Sequence, residues 1–308
     1  MRMPSGKYHY LHLDVFTDRP LTGNQLAVFL DAEGLDADVM QRIALEMAFP
    51  ETTFVFPAEH PGTDCRVRIF TPRAELPMAG HPTIGTTFAL AHAGRITKAS
   101  ASVTLGLGIG PTPVSLEWRG DQLDFAWMTQ PIPRLGRKLD DIEGIAAALG
   151  VPESDIRATK LPVQMIPSAM PFMYVPLASR EAVNAAELDR RVLQRVCRTA
   201  GIDEPAVFVF TLQPGQGDEA TVFSRMFAPG FGIPEDPASG AASGPLGAYL
   251  VEHGALRPEA AAHIVSRQGM KMGRPSDVHI SIGIRDGQVH NVRVGGKAVL
   301  VGEGMVQI

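Results

Sequence analysis

The sequence predicts an α+β protein of two similar domains, each a curved, mostly antiparallel sheet or barrel wrapped around one central helix. Three observations carry this. The stretch Arg68 to Gly94, RIFTPRAELPMAGHPTIGTTFALAHAG, recurs in altered form at Arg225 to Gly254, RMFAPGFGIPEDPASGAASGPLGAYLVEHG. At its start the offset is constant, since Arg68 and Arg225, Phe70 and Phe227, Pro72 and Pro229, and Pro77 and Pro234 all lie 157 positions apart. Strand patterns outnumber helix patterns in each half. Each half also holds one run of small apolar residues, Gly85 to Ala93 and Gly244 to Val251, and a helix that is apolar nearly all round has to be enclosed.

In chain order, Tyr8 to Phe16 alternates as a strand and Gln25 to Leu30 makes a second, joined by a loop with Pro20, Gly23 and Asn24. Asp36 is placed to cap a helix carrying Val39, Ile43, Ala44 and Met47 on one face, which Pro50 ends. Glu51 then opens the strand Thr52 to Phe56, followed by the strand Cys65 to Phe70 and the first loop-helix unit. Residues 102–118 and 122–127 read as strands. The Pro-rich stretch Thr129 to Gly136 reads as a crossover, which divides the chain into 1–128, completed by the last strand at about 297–308, and 129–296. In the second half, Asp140 to Leu149 and Glu187 to Ala200 read as helices closed by Gly150 and Gly201. Strands at Ala206 to Thr211 and Thr221 to Phe227 precede the second loop-helix unit, and turns at Asp286-Gly287, Gly295-Gly296 and Gly302 to Gly304 predict a tail of hairpins. A second echo supports duplication: TFVF at Thr53 to Phe56 answers VFVF at Val207 to Phe210.

Bulk composition narrows the function. A chain of 308 residues is long enough for two cores, and 45% hydrophobic with 20% charged residues is ordinary for a soluble globular protein. A net charge of −5 without a basic tract argues against nucleic acid, and no apolar run reaches the length of a membrane span or a secretory leader, so a cytoplasmic location is expected. Two cysteines, Cys65 and Cys197, are too few for a disulfide framework or a structural zinc site. The run GLGIG at Gly106 to Gly110 leads into another strand, so the helix that a phosphate loop needs is absent, and no G-x-S-x-G, HExxH or CxxC occurs.

The chemistry is expected where the duplication fails. Helix N-termini present unpaired N–H groups that suit a carboxylate, so the two loop-helix starts holding Gly80, Pro82 and Thr83, and Ser239, Gly240 and Ala241, are candidate substrate-binding segments, with ordinary helix caps as the alternative reading. Aligning TFVF on VFVF sets Pro205 opposite Glu51, and matching Pro77 with Pro234 sets Ala79 opposite Asp236 and Ala238 opposite His81. Glu51, His81 and Asp236 thus become candidates for one asymmetric site, with Phe49 and Phe54 flanking Glu51 as an apolar setting that would raise its pKa. A non-catalytic small-molecule-binding dimer, or an epimerase or racemase for another substrate, stays open as an alternative.

DVFTDRPLTGNQLAVF at Asp14, PETTFVF at Pro50, RIFTPRAELPMAGHPTIGT at Arg68, RMFAPGFGIPEDPASGAA at Arg225, QGMKMGRPSDVHISI at Gln268 and VRVGGKAVLVGEG at Val292 resemble the PhzF family of phenazine-biosynthesis isomerase-like proteins along nearly the whole chain. The resemblance implies the diaminopimelate-epimerase-like fold, a site between the domains, and a homodimer. It implies isomerisation of a small carboxylate, dihydro-3-hydroxyanthranilate in the type member, with neither metal nor organic cofactor. The family's catalytic Glu matches Glu51, its GHP histidine His81 and its EDP aspartate Asp236. Where the family usually reads EDPATGSA this chain reads EDPASGAA, so a Thr becomes Ser239 and a site-lining Ser becomes Ala241.

Overall fold

A computed structural model describes residues 6–168, 170–213, 215 and 219–308. Two compact units are resolved, one made of residues 1–130 with 293–308 and the other of residues 131–292. In the first unit, β1 (Lys7–Val15), β2 (Asn24–Phe29), α1 (Ala37–Met47), β3 (Glu51–Pro57), β4 (Cys65–Phe70), β5 (Glu75–Leu76), α2 (Gly80–His92), β6 (Ser102–Leu107), β7 (Gly110–Arg119) and β8 (Gln122–Gln130) follow in order. The parallel pairs β2–β3 and β4–β6 are each bridged by a helix, as a parallel crossover requires, while β3–β4, β6–β7 and β7–β8 are antiparallel. Asp36 caps α1 by accepting from the Val39 N–H at 2.9 Å, and Ala48 ends it in the left-handed region just before Pro50. The apolar face of α1 (Val39, Met40, Ile43, Ala44) packs on Phe29, Phe54 and Phe70 from one side of the sheet.

The other side of the sheet holds α2, whose residues from Gly80 to Leu90 are all buried. Close approach is built in: a Cβ on Gly85 would lie 2.5 Å from Leu26 and 2.7 Å from Val15. Hydroxyls fasten the contact, with Thr53 Oγ1 of β3 2.9 Å from Thr86 Oγ1.

The second unit repeats this plan. It contains α3 (Ile142–Leu149), α4 (Glu153–Arg157), β9 (Gln164–Ile166), β10 (Phe172–Pro176), α5 (Arg180–Ala185), α6 (Arg190–Ala200), β11 (Ala206–Thr211), β12 (Val222–Ala228), β13 (Ile233–Asp236), α7 (Gly240–Glu252), β14 (Ile264–Gln268), β15 (Ser276–Arg285) and the start of β16 (Gln288–Gly296), whose end from Arg293 onward belongs to the first unit. Parallel pairs β10–β11 and β12–β14 match β2–β3 and β4–β6, and α7 is buried on the inner face as α2 is. Helices α3 to α6 cover the outer face through Leu149, Ile156, Val183, Leu193 and Val196. The short elements α4, β9, β10 and α5 carry too few residues for a periodic signal and are absent from the sequence reading.

One expectation about the tail is corrected. Asp286 and Gly287, both with positive φ, form a tight turn between β15 and β16, but the later glycines are not turns. Gly302 and Gly304 lie inside β17 (Ala298–Gln307), which pairs antiparallel with β1, and Gly304 leaves room for the Tyr10 ring. Gly295 and Gly296 end β16 where a Cβ would meet Ala126 and Phe16 at 2.6 and 2.5 Å. These glycines serve close packing rather than reversal. Among the described residues, no helix is long and apolar enough to cross a membrane.

Candidate active site

In the first unit, Glu51 starts β3 and pairs with Leu26 of β2. Strand alternation points Glu51 and Thr53 toward α2, and Thr52 and Phe54 the other way. Phe54 therefore does not form the apolar surroundings of Glu51; it stacks on Phe29 at 5.0 Å beneath α1, while Phe49 lies against His12. What faces Glu51 is His81, the second residue of α2, with Nε2 3.3 Å from Glu51 Oε2. Both side chains are buried. The approach lacks hydrogen-bond alignment, and among the described residues Nε2 makes no hydrogen bond. On the other side of the ring, the Asn24 Nδ2 amide lies 3.1 Å from Nδ1. Burial pushes His81 down to about 3, a backbone hydrogen bond at Gln25 opposing weakly, so the ring is neutral at physiological pH.

Around this pair, Gly80 and Pro82 are buried in the first turn of α2, and no side chain caps that end of the helix. Thr83 is buried too, and its hydroxyl donates to the Ala79 carbonyl at 2.7 Å. In the second unit, Asp236 ends β13, and its Oδ2 accepts from the Ser239 hydroxyl at 2.5 Å. Gly240 begins α7 and Ala241 is half-buried beside it.

The structure corrects how the halves correspond. Bidentate pairs Arg68–Glu75 and Arg225–Glu235 are the same interaction, but the partners are 7 residues apart in one copy and 10 in the other. A turn at Pro229–Phe231 supplies the three extra residues. Ile69 pairs with Leu76 as Met226 pairs with Asp236, so Asp236 stands where the first unit has Leu76, not Ala79. Ser243 donates to the Ser239 carbonyl as Thr83 does to Ala79, so His81 corresponds to Ala241, not Ala238. The TFVF match also slips by one. Thr52 pairs with Phe70 as Val207 pairs with Phe227, which sets Ala206, not Pro205, opposite Glu51. With the registers corrected, Glu51, His81 and Asp236 each correspond to an apolar residue in the other copy, namely Ala206, Ala241 and Leu76.

Two residues escaped the sequence reading, Asn24 against His81 and Gln268 against Ser239. The only signal was a polar amide at a strand terminus next to a glycine. The cysteines lie elsewhere, Cys65 in β4 and Cys197 in α6, and burial pushes both thiols up to about 11.

Comparison with known proteins agrees with this architecture. The chain is 37% identical over 302 residues to the trans-2,3-dihydro-3-hydroxyanthranilate isomerase of Pseudomonas chlororaphis, covering 97% of this chain and 99% of that one. The crystal structure of a Bacillus anthracis PhzF-family protein superposes with a TM-score of 0.84 at 26% identity, covering 98% of this chain and all of that one. A hydroxyproline epimerase from Agrobacterium vitis shares the fold, with a TM-score of 0.65 at 15% identity over all of this chain and 94% of that one. Residues 13–304 match the family described as phenazine biosynthesis-like protein, PhzC-PhzF. By that match over almost its whole length, the chain belongs to the PhzC-PhzF family and is an isomerase.

Proposed function

We propose that this isomerase shifts the double bonds of a small unsaturated carboxylate of the trans-2,3-dihydro-3-hydroxyanthranilate type, with Glu51 as the one group that takes up and returns the proton. The carrying observation is the Glu51–His81 pair, a buried carboxyl facing a neutral buried imidazole across 3.3 Å at the start of α2. Glu51 removes a proton from a carbon beside the unsaturated system, the electron pair moves into conjugation, and the same carboxyl returns the proton to another carbon on that face. Nothing is oxidised or reduced, and the carboxyl ends as it began. His81 donates to charge developing on the substrate, and Asp236 accepts from its hydroxyl or amine. First-turn amides at Gly80 and Gly240 receive the carboxylate. In this reading the enzyme works as a homodimer without metal or organic cofactor.

A cysteine-pair racemase has less support, because buried thiols raised to about 11 are protonated at neutral pH. Ala241 instead favours a variant substrate. It is the counterpart of His81, and its methyl replaces a hydroxyl that the resemblance implies for substrate contact.

The experiment is turnover of trans-2,3-dihydro-3-hydroxyanthranilate in heavy water, with Glu51→Gln alongside. Expected are an absorbance change, deuterium at the reprotonated carbon, and a loss in kcat of about 10³-fold or more in the variant, in keeping with the roughly 10²–10⁴-fold contribution of general acid-base catalysis. Wild-type turnover that survives Glu51→Gln would remove Glu51 from the chemistry.

A further inference from the structure

Gln268 is fully buried at the end of β14, and every atom of its carboxamide is engaged. Its Oε1 accepts from the Ser239 N–H at 3.1 Å. Its Nε2 donates to the Asp236 carbonyl at 2.7 Å and to Ser239 Oγ at 3.0 Å. A backbone N–H only donates and a backbone carbonyl only accepts, so these two contacts fix which end of the amide is oxygen. Ser239 Oγ must then accept from Gln268, and its own hydrogen is left for Asp236 Oδ2, 2.5 Å away. The direction of the whole relay is therefore imposed from Gln268.

The backbone beside it is shaped for this. Gly269 has a φ of +76°, and a Cβ there would lie 2.2 Å from the Arg274 carbonyl oxygen and 2.7 Å from that of Pro237. The β14 terminus can thus press against the loop holding Asp236. In the first unit Arg66 pairs with Gly106 as Phe223 pairs with Arg267, so Gln268 corresponds to Leu107. There the loop after β6 packs on Pro77 in the same way, but with an apolar residue in place of the amide. The fold accepts a leucine at this position; the polar relay exists only beside Asp236.

We propose that Gln268 is a positioning residue for the isomerase reaction, which orients the Ser239 hydroxyl so that Asp236 presents a hydrogen-bond-accepting carboxylate oxygen in a fixed rotamer. This rests on the function proposed above. It also accounts for Ser239, since a Ser supplies the same hydroxyl as the Thr of the resembling pattern.

The test follows the Asp236 carboxyl carbon by ¹³C NMR, assigned with Asp236→Asn, in parallel with kinetics on trans-2,3-dihydro-3-hydroxyanthranilate. Gln268→Leu and Ser239→Ala are expected to move that resonance in the same direction, Ser239→Thr to leave it in place, and kcat to fall about tenfold or more in the first two. Gln268→Glu is the sharper variant. A carboxylate can only accept, so Ser239 turns its hydrogen away from Asp236, and this near-isosteric change is expected to be worse than Gln268→Leu. A purely structural role lowers activity through lost stability and leaves the Asp236 resonance of the folded protein in place, so an unmoved Asp236 resonance in both Gln268 variants overturns the proposal. Absence of turnover in the wild type would count against the isomerase reading alone, because the NMR comparison still decides the positioning role.

Discussion

Glu51 and His81 are two buried groups within 3.3 Å, and the protonation of His81 couples the site to folding. His81 has its pKa lowered from 6.5 to about 3 by burial, so the folded state resists protonation that the unfolded chain accepts. Above about pH 6.5 neither state binds that proton and His81 adds no pH dependence. Between about 6.5 and 3 the unfolded state gains it, and stability falls by roughly 1.4 kcal/mol per pH unit, levelling off below about 3. At pH 5 the accumulated loss is therefore ~2 kcal/mol. Urea midpoints at pH 7 and pH 5 would show this, and His81→Asn should remove most of the difference. An unchanged difference in that variant would assign the acid sensitivity to other groups.

At the scale of elements, both central helices bury large side chains such as Ile84 and Tyr249 and also approach their sheets closely through glycines. Gly85 sits under Leu26 and Val15, and Gly247 under Ile280 and Ile282, each with under 3 Å for an added methyl. Gly85→Ala improves helix propensity by about 1 kcal/mol, but the clash must push α2 away from β1 and β2. A net destabilisation of roughly 1–3 kcal/mol is expected in urea titrations, since overpacking outweighs propensity in an enclosed site. The displacement would also carry His81, three residues before Ile84 on the same helix, away from Glu51, so activity should drop more than stability alone explains. A variant as stable as the wild type would show that the packing yields.

At the scale of the molecule, the first unit is discontinuous in sequence. Its last strand, β17, pairs with β1 along Lys7 to Val15, after the chain has built the whole second unit. Truncation after Gly296 leaves β1 with an open edge on that side and removes the partner of every residue in it. Hydrogen exchange should then show lost protection in β1 and β2, while β10, β11 and β12 keep theirs, because their pairings do not involve β17. Equal loss in both units would mean that they fold as a single cooperative body.

Much of this was legible in the residues themselves. Period-two alternation marked the strands, Asp36 with Gly150 and Gly201 marked helix ends, and the repeated Arg-x-Phe-x-Pro stretch revealed the duplication, because local geometry and capping are dictated by short-range chemistry. Glu51, His81 and Asp236 stood out for the same reason, as side chains that broke a repeat. What the residues could not reveal was register. A ladder partner, not string similarity, decides that Thr52 corresponds to Val207, and a three-residue turn in one copy is invisible to a constant offset. Nor could they show that Asn24 meets His81 across 57 positions or that Gln268 meets Ser239 across 29, since such contacts exist only once the sheet has brought distant strand ends to one loop. Sequence determined which groups were present; tertiary structure decided which of them touch, because hydrogen bonds between strand termini are set by packing at long range.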